Sequence, residues 1–256
     1  MKKCLVTGSD GFIGRSLVKR LSIDYEVIGI ERSNSKQLEP LVKQCDIVFH
    51  VGAIVDTTLS NPTEMLTCNY TFSKTLFDLA QKYNKKVVYS SSAACYGNGD
   101  NIPTNIYGWS KLLAEEYGMA KCDEFVALRY FNVYGPGEEH KGNMSSVAYQ
   151  SQAKDVFTLF PKKPKRDFVF VDDVVSANVH AINCEKGVYE VGSGEARTFE
   201  DVLDILDKKY DYHDENKIPS WYQFFTKSEK LKWMPGWKPK HNIESGVKKY
   251  KEYLDG

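Results

Sequence analysis

An α/β fold built on a doubly wound parallel sheet is predicted by three observations. Short apolar runs alternate with helical periodicities through the first half of the chain, a glycine-rich turn joins the first run to the first helix, and the alternation loosens past a Gly-Pro-Gly breaker at residues 135–137. Apolar strands separated by helical crossovers belong to a parallel sheet covered on both faces.

Residues 3–7 read as a buried strand, 8–14 as a turn, 12–21 as an amphipathic helix and 26–30 as a second strand, which together make a β-α-β unit. Residues 47–51 are another apolar strand. Asn61-Pro62-Thr63-Glu64 then supplies an N-cap, a proline at the first helical position and an acidic third residue. A helix is expected from there to about Lys82, with Met65, Phe72, Leu76 and Leu79 on one side. A strand at 86–90, a helix at 107–119 and a strand at 126–131 follow. Beyond the breaker, 172–182, 198–210 and 243–254 read as helices and 188–191 as a short strand, so a smaller mixed α/β part is expected at the C-terminal side. The expected division is a larger domain of 1–135 plus about 168–184, and a smaller one of about 136–167 and 185–256.

Composition narrows the function classes. The 256 residues carry 34 Lys+Arg against 34 Asp+Glu, with 42% hydrophobic and 27% charged residues, an ordinary globular balance that argues against nucleic acid as the main partner. The apolar run nearest to membrane length, 47–55, contains His50 and is far short of the roughly 20 residues of a spanning helix, so no membrane partner is expected. Lys2 and Lys3 precede an apolar stretch that stops at Thr7-Gly8 with no small-residue cleavage site after it, and a cytoplasmic location is expected. The six cysteines form no C-x-x-C pair and read as free thiols, and the five histidines share no metal-ligand spacing, so no metal is expected.

Two motifs carry chemistry. Gly8, Gly11 and Gly14 space a turn between strand and helix, where bare backbone can approach a pyrophosphate and the helix N-terminus offers unpaired N–H groups. Tight turns use glycine without any ligand, but Glu31 ends the second strand 17 residues after Gly14, where a carboxylate binds adenosine ribose hydroxyls. Glu31 repels a 2′-phosphate and Arg32 attracts one, so NAD and NADP both stay open. The second motif sets Tyr107 and Lys111 at i and i+4, on one helical face, with Ser91 and Ser92 at the end of the preceding apolar strand. A tyrosine acting as a base near neutral pH must fall from about 10 by roughly 3 units, or about 4 kcal/mol, and Lys111 is the expected source of that shift. A serine hydroxyl beside it can hold the alcohol being oxidised. From the residues alone Lys141 is an ordinary solvated loop lysine, and the 162–165 tract a solvated loop.

The glycine turn, the Tyr-x-x-x-Lys pair and its upstream serine resemble the extended short-chain dehydrogenase/reductase superfamily of nucleotide-sugar enzymes, with its Rossmann-like fold. Arg129-Tyr130-Phe131-Asn132-Val133-Tyr134-Gly135-Pro136, His140-Lys141-Gly142-Asn143-Met144, Arg166-Asp167-Phe168-Val169 and Tyr222-Gln223-x-Phe225-Thr226 further resemble its ADP-L-glycero-D-manno-heptose 6-epimerase family. The resemblance runs from residue 4 to about 254. It implies a tightly bound, recycled NADP or NAD held by Gly8, Gly11, Phe12, Ile13, Gly14, Glu31, Arg32, Gly52, Ala53, Asn69, Tyr107, Lys111 and Val133. It implies Tyr107 and Lys141 as acid/base groups on opposite sides of C6, Ser91 or Ser92 orienting the hydroxyl, and Lys111 tuning Tyr107. Asn132, Asn143, Arg166 and Tyr222 would hold the nucleotide-diphosphate sugar, Arg166 through its planar fork. An ion pair of Arg166 with Asp167 or Asp172 is the plainer alternative. A 4-epimerase or reductase of the same superfamily, a non-catalytic dinucleotide sensor and a homo-oligomer stay open. Gln150 stands where that family tends to have His, the stretch 100–104 lacks the family's longer loop, and the segment before Arg166 is compressed.

Overall fold

The computed structural model describes residues 1–31, 37–57, 59, 61–218 and 222–256, so Arg32 lies outside the described residues. The first apolar runs form β1 (Lys3–Thr7), β2 (Glu26–Ile30) and β3 (Ile47–His50), separated by α1 (Phe12–Leu21) and α2 (Leu38–Gln44). The expected long helix is split. Asn61 caps it, its side chain accepting from Glu64 N at 3.2 Å, but α3 (Pro62–Leu66) passes through a π-helical turn, Thr67–Thr71, into α4 (Phe72–Lys82). Asn69 in that turn and Ser73 just after it are both buried. Next come β4 (Lys86–Ser92), α5 (Ile106–Lys121), β5 (Phe125–Tyr130), β6 (Asn132–Tyr134), α6 (Val147–Gln150), β7 (Val156–Leu159), β8 (Lys165–Phe170) and α7 (Val171–Ala181). The chain ends through β9 (Gly187–Val191), β10 (Ala196–Thr198), α8 (Phe199–Ile205), β11 (Lys209–Tyr212) and α9 (Ile243–Asp255).

Six strands make one parallel sheet in the order β2-β1-β3-β4-β5-β9. Its strands give alternate residues to two apolar clusters. Cys4, Val6, Phe49 and Leu128 pack toward α1 and α7, while Leu5, Val48, Tyr89 and Ala127 pack toward α2, α4 and α5. Both faces are covered, which is why the strands read as apolar runs. β1 has β2 on one side and β3 on the other, so crossovers diverge there and leave a crevice beyond the strand ends. Gly8 and Gly52 leave β1 and β3 at that crevice. Gly8 has φ +68°, and a Cβ on it would stand 2.5 Å from Gly52 Cα, so only glycine fits.

β10, β8 and β6 form a second, three-stranded sheet, and β11 pairs with β7 in parallel. A third apolar cluster, including Tyr134, Phe170, Leu203, Val247 and Tyr250, lies between them and α6, α8 and α9. Two expectations need correction. The helix expected over 198–210 stops at Ile205; Asp207 takes φ +57° and the chain returns as β11. The strand expected in the smaller part, β9, pairs with β5 and extends the large sheet instead. Cys4, Cys45, Cys95 and Cys122 are buried thiols. Among the described residues no helix is long and apolar enough to cross a membrane.

Candidate active site

A cavity of about 820 Å³ opens beyond the strand ends, walled by the glycine turn and Glu31, by the ends of β3, β4 and β5, and by Arg166 and Tyr222 of the smaller part. At the turn, a Cβ on Gly14 would lie 1.9 Å from the Gly8 carbonyl oxygen. α1 begins at Gly11 with no side-chain cap and no acidic residue in its first turn, which leaves its first N–H groups for an anion. Glu31 Oε1 accepts from Ser9 Oγ at 3.1 Å and from Asp10 N at 2.8 Å, which fixes the turn against β2; among the described residues its other oxygen carries no hydrogen bond. Phe12, Ile13, Gly52, Ala53 and Val133 line the same cavity. This cradle, which a single Cβ would fill, fits a dinucleotide. Gly14→Ala is expected to abolish dinucleotide retention, measured by the small molecules released from the denatured protein.

Asn69 has another task. Its Oδ1 accepts from Ile54 N and its Nδ2 donates to the Ile54 carbonyl, both at 2.8 Å, and Nδ2 also reaches Ser110 Oγ at 3.0 Å. Both arms of the amide are therefore engaged in fixing the wall after β3, and the expected direct contact with a cofactor is corrected to an indirect one. A buried hydrogen-bond chain backs the same wall. Gly52 N donates to Thr7 Oγ1, which meets His50 Nδ1 at 2.7 Å; His50 Nε2 lies 2.6 Å from Ser73 Oγ, and Ser73 donates to the Asn69 carbonyl. Since the Ser73 proton goes to Asn69, Nε2 must carry the imidazole proton and Nδ1 must accept. Burial holds His50 down at about 3, with the Lys111 charge adding to it, so the ring stays neutral. Asn69→Ala leaves two Ile54 backbone groups without partners and is expected to cost about 2–4 kcal/mol in urea unfolding.

α5 brings the acid/base pair to β4. Asn105 caps it, accepting from Gly108 N at 2.8 Å. Tyr107, Lys111 and Glu115, spaced i, i+4 and i+8, then grip three consecutive serines. Lys111 Nζ donates to the Ser90 carbonyl at 2.6 Å, Ser91 Oγ donates to Glu115 Oε2 at 2.5 Å, and the Ser92 hydroxyl lies beside the Tyr107 phenol and favours its ionised form. This separates the two candidate serines. Ser91 is turned toward Glu115, itself gripped by Arg129 through Nε at 3.0 Å and Nη2 at 2.5 Å, and Ser92 faces the phenol. Burial pushes Tyr107 up to about 12, with the Ser92 hydroxyl opposing, and burial pulls Lys111 down to about 8. The ammonium donates to the Ser90 carbonyl and lies 4.9 Å from the Tyr89 ring centre.

Lys141 is not a solvated lysine. Its side chain is 17% exposed, with Nζ 3.7 Å from Glu138 Oε2 and 4.8 Å from the ring centre of Phe12 in the dinucleotide cradle. Asn132, Asn143 and Tyr222 line the cavity with it. The plainer reading of Arg166 fails as well. Asp167 is engaged by the backbone and hydroxyl groups of Ser193 and Ser228 and by Gly194 N, and Asp172 pairs with Lys249 at 2.7 Å. Among the described residues no carboxylate lies within 4.0 Å of Arg166; the buried guanidinium donates to the Lys165 carbonyl and sits 5.1 Å from the Tyr222 ring. Burial without a counter-charge lowers its pKa. Beside it Phe160 meets Tyr222 at 5.0 Å and His213 at 5.6 Å, an aromatic corner that sequence reasoning missed because its members lie on separate strands and loops. Gln150 donates to the Asn143 and Ser145 carbonyls and so braces the Lys141 loop. Lys162 is exposed and pairs with Glu215 at 3.0 Å.

Residues 4–192 match the model of the NAD dependent epimerase/dehydratase family. The chain is 31% identical to the ADP-L-glycero-D-manno-heptose-6-epimerase of Brachyspira hyodysenteriae over 98% of its length and 97% of that protein's. It is 33% identical to the enzyme of the same name from Cupriavidus pinatubonensis, over 79% of this chain and 76% of the other. The crystal structure of the Helicobacter pylori ADP-L-glycero-D-manno-heptose-6-epimerase matches with a TM-score of 0.85 at 29% identity, covering 100% of this chain and 96% of that one. The Thermotoga maritima UDP-glucose 4-epimerase with UDP-glucose matches with a TM-score of 0.84 at 25% identity, covering 99% and 98%. The glycine cradle, the Tyr107–Ser92 pair and these matches have one explanation: the chain belongs to the NAD dependent epimerase/dehydratase family.

Proposed function

We propose that this chain is a nucleotide-sugar epimerase that inverts C6 of an ADP-heptose by transient oxidation and re-reduction with a bound NAD. The observation that carries the reading is that two protonatable groups, Tyr107 and Lys141, line one cavity with the dinucleotide cradle. Inversion by this route needs a proton handled on each side of the carbon. Tyr107 exchanges the hydroxyl proton on one side, Ser92 orients that hydroxyl, and Lys141 serves the other side. Lys111 anchors the end of β4 through Ser90 and contributes its charge to the cradle. Arg166 takes the diphosphate and Tyr222 packs beside it, while Asn132 and Asn143 bond the sugar. The dinucleotide, when bound, supplies the hydride acceptor and donor and a positive ring that favours a phenolate at Tyr107. Glu31 favours NAD over its phosphorylated form.

In this reading the larger part, β9 included, carries the dinucleotide and the smaller part the sugar nucleotide, and the protein works in the cytoplasm. The relatives' names support the heptose, and the guanidinium of Arg166, with no carboxylate within 4.0 Å among the described residues, supports a diphosphate. The test incubates the protein with ADP-D-glycero-D-manno-heptose and follows C6 by NMR. Inversion is expected; its absence, with turnover of a UDP- or GDP-hexose, refutes the heptose assignment.

A further inference from the structure

Lys141 lies in a tight 3-10 segment, Glu139–Met144, and the residue just before that segment, Glu138, is wholly buried. The Glu138 carboxylate accepts from Ser146 N at 2.6 Å on Oε2 and from Ser146 Oγ at 2.5 Å on Oε1, with Gly135 N farther off at 3.5 Å. All of these donors are neutral. Among the described residues Lys141 is the only cation within 4.0 Å of it, with Nζ at 3.7 Å. A carboxylate removed from water needs such a counter-charge. Among the described residues the other groups facing the pair bring no cation: the Tyr250 phenol of α9 is buried near Glu138 without a hydrogen bond, the Phe12 ring of α1 lies against the ammonium, and Glu139 turns away to Gly137 N and the Tyr253 hydroxyl.

We propose that Glu138 is a positioning residue whose buried charge holds the Lys141 ammonium in the cleft beside Phe12 in its protonated form, making Lys141 the resting proton donor of the pair. The proposal rests on the acid/base reading of Lys141 above. Two opposing influences act on that ammonium: burial favours losing the proton, and Glu138 favours keeping it. Without the carboxylate burial acts alone, and the lysine enters the cycle neutral, unable to protonate the sugar oxygen after re-reduction.

The test is the pH dependence of kcat for C6 inversion with the dinucleotide-loaded protein, comparing the wild type with Glu138→Gln, Glu138→Asp and Lys141→Met, with thermal unfolding as the control. Loss of the carboxylate lowers the proton affinity of the ammonium. The alkaline limb of the Glu138→Gln profile is therefore expected to move to lower pH by about one to two units, with kcat recovering toward the wild-type value below the limb. Glu138→Asp keeps the charge and is expected to move the limb less than half as far; it also serves alone if Glu138→Gln is too unstable to assay, since a limb moved by more than one unit with the charge retained overturns the proposal. A Glu138→Gln limb coincident with the wild type, beside an inactive Lys141→Met, overturns the proposal and leaves the epimerase reading standing. Full activity of Lys141→Met overturns the role of Lys141 and the proposal with it.

Discussion

Tyr107→Phe is expected to lower kcat by about 10³-fold while the dinucleotide stays bound, as general acid–base groups commonly contribute 10²–10⁴. The substitution removes one oxygen and leaves the ring that lines the cavity. It takes away the phenol beside Ser92 that exchanges a proton with the sugar hydroxyl in this account. Lys111 and Glu115 keep their grips on Ser90 and Ser91, so the end of β4 stays in register. Measurement of kcat beside bound dinucleotide separates chemistry from binding: loss of both together would make Tyr107 a structural tyrosine.

Arg166→Met is expected to move function and stability in opposite directions. A bidentate guanidinium–diphosphate contact in a desolvated cleft is worth about 2–4 kcal/mol, so KM for the nucleotide sugar should rise about 30- to 1,000-fold with kcat changed little. Met fills similar volume against Tyr222 and Phe199 and removes a buried charge that has no carboxylate within 4.0 Å among the described residues. Unfolding in urea should therefore show a gain of about 1–2 kcal/mol. A KM within threefold of the wild type, or a clear loss of stability, would assign Arg166 to the scaffold.

The parts of this site legible in the sequence are those where local chemistry leaves few options. Gly8 needs a positive φ, Gly14 sits where any side chain would strike the Gly8 carbonyl, and Tyr107 and Lys111 share a helical face whatever the tertiary structure. The inner strands of the large sheet, such as β1 and β3, were legible because burial on both faces makes them apolar runs. The strands of the smaller part were not: β8 begins Lys165-Arg166-Asp167, a charged triplet in which Arg166 and Asp167 are buried, Asp167 through partners distant in sequence such as Ser193 and Ser228. The choice of Ser92 over Ser91 depends on Arg129 from another strand holding Glu115. The electrostatic setting of Tyr107 was not legible for a related reason. Spacing puts Lys111 one turn away, but burial and the Ser90 carbonyl decide what its charge does. Glu138 sits three residues from Lys141, a spacing visible in the sequence, yet only the fold shows it buried.

The central claim is that one cleft removes and returns the same hydride at C6 while Tyr107 and Lys141 handle the protons. It is tested most directly with ADP-D-glycero-D-manno-heptose deuterated at C6, incubated with the protein in ordinary water and followed by NMR. The account predicts an inverted C6 that keeps its deuterium. Deuterium washed out during inversion, or no inversion at all, would contradict it.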